Sequence, residues 1–135
     1  ILEKQVSYDI SEIIKLLKLK PREINLFVAD TWKYNFYKRL KLEIKKSRDP
    51  GILIKKLRVK NEDISKIIMS AIKDESKLPH YVIPKSLELR ALKELIPKLS
   101  NMFNCKIFVG DADKTSEIKA KKSSPLKPAI VVIGD

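Results

Sequence analysis

The chain has 135 residues, with 29 Lys or Arg against 17 Asp or Glu and a formal net charge of +12. That length holds one compact domain with a real core and is too short for a large multi-step catalytic machine. Apolar residues make up 44% and charged residues 34%, which argues against wholesale disorder and leaves a heavily ionic surface.

The first element is a short amphipathic helix over residues 9–20, with Ile10, Ile13, Ile14 and Leu17 at helical spacing and Asp9 or Ser11 as its cap. It stops near Pro21. Residues 23–29 then alternate, with Ile24, Leu26 and Val28 on one side, and read as a strand. Asp30 or Thr31 caps a helix to about Lys46, whose apolar stripe is Trp32, Phe36, Leu40 and Ile44. Tyr34, Lys38, Lys41 and Lys45 fall on the opposite, solvent side. Asp49-Pro50-Gly51 turns the chain. A short helical piece follows over residues 52–59, and Asn61, Glu62 and Asp63 start another helix that ends near Asp74. Residues 76–85 are a connection without clear period. Ser86 caps the last long helix, which turns Leu89, Leu92, Ile96 and Leu99 inward and is kinked at Pro97. Residues 106–109 form a second strand. A polar, Lys-rich and flexible segment leads to a third strand over residues 129–133, whose unbroken apolar run predicts burial on both faces.

This order, α-β-α-α-α-α-β-β, predicts an α+β single domain: a small three-stranded sheet packed with about four helices. The cationic excess is focused. Residues 32–48 carry seven cations against one Glu, residues 52–60 add four cations and no acid, and residues 114–128 hold five Lys against Glu117. These segments contribute +6, +4 and +4, a sum of +14 that exceeds the whole-chain +12. Concentration of this kind points to a polyanion, RNA or DNA, more than to the lysine-rich usage of an AT-rich genome or a hot habitat. Lys38, Lys41 and Lys45 on one helix face, with Lys119, Lys121 and Lys122 on the flexible segment, are the candidate phosphate contacts. Tyr34 beside Lys38 is placed either to stack on an unpaired base or to sit half-buried against a loop.

Chemistry is sparse by contrast. His80 is the one histidine and Cys105 the one cysteine, which leaves no triad, no disulfide framework and no cysteine zinc site. The isolated Gly51, Gly110 and Gly134 make neither a Walker loop nor a dinucleotide fingerprint. Asp111 and Asp113 follow a strand, where catalytic acids often lie, but a solvated turn explains them more simply. Single-cysteine usage reads as a reducing, cytoplasmic compartment, and no apolar stretch approaches the ~20 residues of a membrane span. The start, Ile1-Leu2-Glu3 without an initiator Met, suggests a piece of a longer protein.

Three stretches together resemble the C-terminal region of archaeal-type leucyl-tRNA synthetase. Asp9-Ile10-Ser11-Glu12-Ile13-Ile14, Lys20-Pro21 and Ile24-Asn25-Leu26-Phe27-Val28-Ala29-Asp30-Thr31-Trp32-Lys33 are similar to the end of the anticodon-binding bundle and the family's strand and Ala-x-x-Trp-Lys helix start. Leu53-Ile54-Lys55-Lys56-Leu57 and Ile96-Pro97-Lys98-Leu99 resemble two later helices. The ending is the most specific: a basic linker, then Pro125-Leu126-Lys127-Pro128-Ala129-Ile130 and an apolar strand. The family usually has Gly where Leu126 stands, and tends to finish with Ile-Glu rather than Ile133-Gly134-Asp135.

The resemblance implies residues 1–20 as the end of the preceding helical bundle or linker, and 21–135 as a C-terminal tRNA-binding domain. It implies a noncatalytic module without a cofactor of its own, in a class I parent that uses ATP and Mg²⁺ to join leucine to tRNA. The implied partners are tRNA(Leu), through its long variable arm and the corner of the L, and the remainder of the synthetase chain. No membrane and a monomeric state are expected. In the family the extreme C-terminus reads unpaired bases at the tip of that arm. The matching positions are Ile133, Gly134 and Asp135, with Lys127 and Pro128 upstream. The competing reading is a structural or protein-interaction domain of a larger chain whose lysines are only solvated surface.

Overall fold

A computed structural model describes residues 2–134. The fold is α+β, in the expected element order. The helices are α1 (Leu2–Leu17), α2 (Thr31–Glu43), α3 (Pro50–Lys56), α4 (Ser65–Lys73) and α5 (Lys85–Phe103). The strands are β1 (Pro21–Val28), β2 (Lys106–Asp111) and β3 (Ala129–Gly134), with short 3-10 turns at Glu75–Lys77, Ala112–Lys114 and Ile118–Lys122. Two compact units are built from them, residues 2–30 with 83–134 and Thr31–Val82.

The first unit is organised by β1, the central strand of a sheet ordered β2-β1-β3. β1 runs parallel to β2, with Ile24 opposite Ile107 and Leu26 opposite Val109. It runs antiparallel to β3, with Ile24 opposite Val132 and Leu26 opposite Ile130. Alternation sends Ile24, Leu26 and Val28 to one face, where they pack with Val6 and Ile10 of α1 and Leu92 and Leu99 of α5. α1 begins earlier than the spacing predicted, since Val6 lies one turn before Ile10 and both are fully buried. Asp9 is therefore mid-helix. It accepts Nε2–H of Gln5 at 3.0 Å instead of capping a terminus. An ion pair of 2.7 Å between Glu3 and Lys98 ties α1 to α5.

At α5 the cap position is Pro84, not Ser86. The helix continues through Pro97 and ends at Asn104, whose φ of 51° is the left-handed stop that asparagine tolerates. β3 departs from the expected burial on both faces. As an edge strand it buries Ala129 and Ile130 and leaves residues 131–134 only half-covered.

The second unit is a helical cluster whose core is Phe36, Leu40 and Ile44 with Leu53, Leu57, Ile64, Ile68 and Ala71. Trp32 packs at its margin, edge-on to Phe36 with ring centroids 5.6 Å apart. Tyr34 is only 8% exposed, which removes it from the solvent face of α2 and leaves no open ring for a base. The Asp49-Pro50-Gly51 turn is also the start of α3: Asp49 Oδ1 accepts the Ile52 N–H at 3.1 Å and Pro50 occupies the first turn. Asp63 accepts both the N–H and the hydroxyl of Ser65, at 3.0 and 2.6 Å, at the head of α4.

Candidate nucleic-acid interface

The candidate cations divide into those that hold the fold and those that face water. Lys38 on α2 and Lys45 in the turn just past its end are exposed, while half-buried Lys41 of α2 donates from Nζ to the His80 carbonyl. Arg39 donates to the Lys56 carbonyl at 2.8 Å and Arg48 to the Ile72 carbonyl at 3.1 Å. Those two carbonyls lie at the C-terminal ends of α3 and α4, where orphan oxygens and the negative end of the dipole attract cations. Arg48 also pairs with Glu75 at 3.3 Å. Part of the cationic excess of residues 32–48 is thus committed internally. Lys38, Lys45, Lys55, Arg58 and Lys60 remain on the surface.

In the first unit, the segment expected to be flexible is packed. Glu117 accepts the Lys119 N–H at 3.3 Å at the start of the Ile118–Lys122 turn, and Ala120, Ser123, Pro125 and Pro128 are buried. Ser124 and Lys127 exchange main-chain hydrogen bonds of 3.1 and 2.8 Å. Lys121 is exposed along its stem, yet its ammonium lies 2.9 Å from both buried Asp30 and the Ala112 carbonyl. Lys119, Lys122 and Lys127 project outward around it.

Ile133 and Gly134 do not extend past the last strand. They are part of β3, in register with Glu23 and Pro21 of β1. Asp135 lies outside the described residues.

Asp111 and Asp113 converge on Lys85, at 2.7 and 3.0 Å from its Nζ. Burial opposes the Lys85 ammonium, but its hydrogen bonds to the two carboxylates outweigh that effect and hold its pKa above the ordinary value. The acids are occupied by an ion pair, which is a structural use. Burial pushes the Cys105 thiol up, away from the thiolate a nucleophile needs. Among the described residues, no group of three or more His, Cys, Asp and Glu side chains is gathered as for a metal, and no helix is long and apolar enough to cross a membrane.

No family model matches the chain. It is 30% identical over 142 residues to a leucine–tRNA ligase of Methanosarcina barkeri, covering 93% of this chain and 15% of that protein. The leucine–tRNA ligase of Methanocaldococcus jannaschii is 32% identical over 133 residues, covering 94% and 13%. That of Methanothrix thermoacetophila is 33% identical over 140 residues, covering 96% and 14%. The chain belongs to the leucine–tRNA ligase family. It spans 13–15% of the length of these relatives, so it is the counterpart of one segment of a tRNA ligase.

Two features of this synthetase segment escaped the sequence. Glu88 is fully buried and its Oε1 accepts the Leu126 N–H at 2.9 Å. Its position four residues before Leu92, on the inward stripe of α5, was the available signal. The outer face of the sheet was the second, and alternation along β1 already sets Phe27 opposite the core residues.

Proposed function

We propose that the chain is the noncatalytic C-terminal tRNA-binding domain of a leucine–tRNA ligase. It contacts the long variable arm of tRNA(Leu) and so supports ATP- and Mg²⁺-dependent leucylation performed elsewhere in the parent enzyme. The observation that carries this reading is the similarity to leucine–tRNA ligases over more than nine-tenths of the chain, joined to outward cations in both units. Lys38 and Lys45 in one, and Lys119, Lys122 and Lys127 in the other, offer mobile ammoniums to phosphates. The parent is cytoplasmic and works as a monomer in this reading, and ATP and Mg²⁺ are bound outside this segment.

The test is the affinity of the chain for tRNA(Leu), for the same tRNA with its variable arm reduced to a short loop, and for a short-arm tRNA of another amino acid. Intact tRNA(Leu) should bind most tightly, and arm removal should bring it to the level of the short-arm tRNA. Equal binding of all three would leave a generic polyanion binder. Absence of binding would favour a structural domain of the synthetase.

A further inference from the structure

We propose that the outer face of the sheet, along β1 and β2, is a stacking platform for unpaired RNA bases. Phe108 and Phe27 are its rings, and Lys106 and Lys114 its phosphate contacts. This deepens the RNA-binding reading above and rests on it.

The placement follows from register. The residues of β1 that turn away from α1 and α5 are Glu23, Asn25 and Phe27, and their partners on β2 are Lys106, Phe108 and Gly110. Phe108 is 48% exposed and belongs to neither hydrophobic core. A single exposed phenylalanine means little. Here a second ring stands beside it. Gly110 faces Phe27 directly, and a Cβ there would come within 3.0 Å of Cδ1 and Cε1 of the Phe27 ring. The missing side chain lets Phe27 lie against β2, one strand repeat (roughly 7 Å) from Phe108.

Beyond Phe27, at the end of β2, lies a hollow of about 350 Å³ that the ring, Gly110, Asp111, Lys114 and Thr115 share with Val109 of the core-facing side and with Leu89 and Lys93 of α5. It opens at the carboxyl end of the parallel β1–β2 pair, where open α/β sheets bind ligands. Lys93 and Lys114 are exposed there, and Asp111 is already held by Lys85 at 2.7 Å, so its charge is offset. Exposed Lys106 stands at the other end of the strip.

Aromatic rings bracketed by cations fit a single strand, whose bases stack on the rings while its backbone follows the lysines. A protein partner would favour a patch with its charged residues depleted at the centre. A duplex keeps its bases stacked internally and offers the rings nothing.

The experiment measures binding of the chain to a single-stranded oligouridylate and to an RNA duplex of the same length. Phe108→Ala should weaken single-strand binding by about 5- to 150-fold, the usual loss for one base–aromatic stack, and leave duplex binding unchanged. Phe108→Leu keeps the apolar bulk and removes the π face, and should show the same selectivity for the single strand. Lys119→Glu, outside the platform, should weaken both ligands alike. Wild-type single-strand affinity in both Phe108 variants, with Lys119→Glu weakened, would overturn the platform and leave the tRNA-binding reading standing. Absence of any RNA binding by the unaltered chain at low salt would overturn both.

Discussion

Glu88, buried on α5, accepts the main-chain N–H of Leu126 at 2.9 Å, and Leu126 holds a φ of 64°. The left-handed region costs an L-residue roughly 1–2 kcal/mol and glycine almost nothing. This is the position where the resembled family usually has glycine. Leu126→Gly should therefore be more stable than Leu126→Ala by about 1 kcal/mol, the reverse of the order at an ordinary helix or strand position. Urea midpoints of the two variants check it, and a more stable alanine variant would remove the strain argument.

The lysines of residues 119–127 should separate by assay. Lys121→Met should cost about 1–3 kcal/mol in urea unfolding, because it strips a charged hydrogen-bond partner from buried Asp30. Lys119→Met and Lys122→Met should stay within about 0.5 kcal/mol of the wild type. On tRNA the ranking inverts. Charge reversal at Lys119, Lys122 or Lys127, or at Lys38 or Lys45, should flatten the log–log salt slope by about 0.7–0.9 for each phosphate no longer neutralised. Unchanged affinity and slope in all five variants would place the RNA surface elsewhere.

Alkaline pH gives a third test. Lys85 has a raised pKa in the folded chain, so its contribution is fully present below the unfolded ammonium value, about 10.4, and is lost as pH rises through the folded value. Lys85→Met should be less stable than the wild type by about 2 kcal/mol near neutral pH, because Asp111 and Asp113 lose their shared partner. That gap should hold up to about pH 10 and close above it. Midpoints measured across this range decide, and a gap that widens with alkali would contradict the assignment.

The end of the chain needs two truncations. Deleting residues 133–135 removes the partners of Glu23 and Pro21, and should cost about 1–2 kcal/mol along with any preference for the long variable arm. Deleting Asp135 alone should spare stability. If the shorter truncation abolishes the preference for the intact arm, base contact lies at the terminus itself. A loss seen only with the longer one would follow from the damaged sheet.

The parts of the fold legible in the sequence are those set by local period. The alternation of Ile24, Leu26 and Val28 and the i, i+4 stripe of Phe36, Leu40 and Ile44 both face their cores. What local reading missed depends on distant partners. Residues 114–128 have no period, yet they pack because Lys121 meets Asp30 and Glu88 meets Leu126. Tyr34 sits on the polar side of α2 by spacing and is nevertheless buried. The expected phosphate-binding lysines Lys41 and Lys121 have their ammoniums on the His80 carbonyl and on Asp30, while Lys38, Lys45, Lys119, Lys122 and Lys127 are exposed.

The central place of β1 sets the folding order. Residues 21–28 have no partner strand until residues 106–111 and 129–134 exist, so both β1 ladders join segments far apart in the chain and close slowly. Thr31–Val82 builds its helical cluster from residues within itself and should form first. During synthesis β1 waits with two open edges, a template for pairing with other chains and a substrate for chaperones. A truncation anywhere between β2 and β3 makes one of those edges permanent, which predicts insoluble protein rather than a smaller soluble domain.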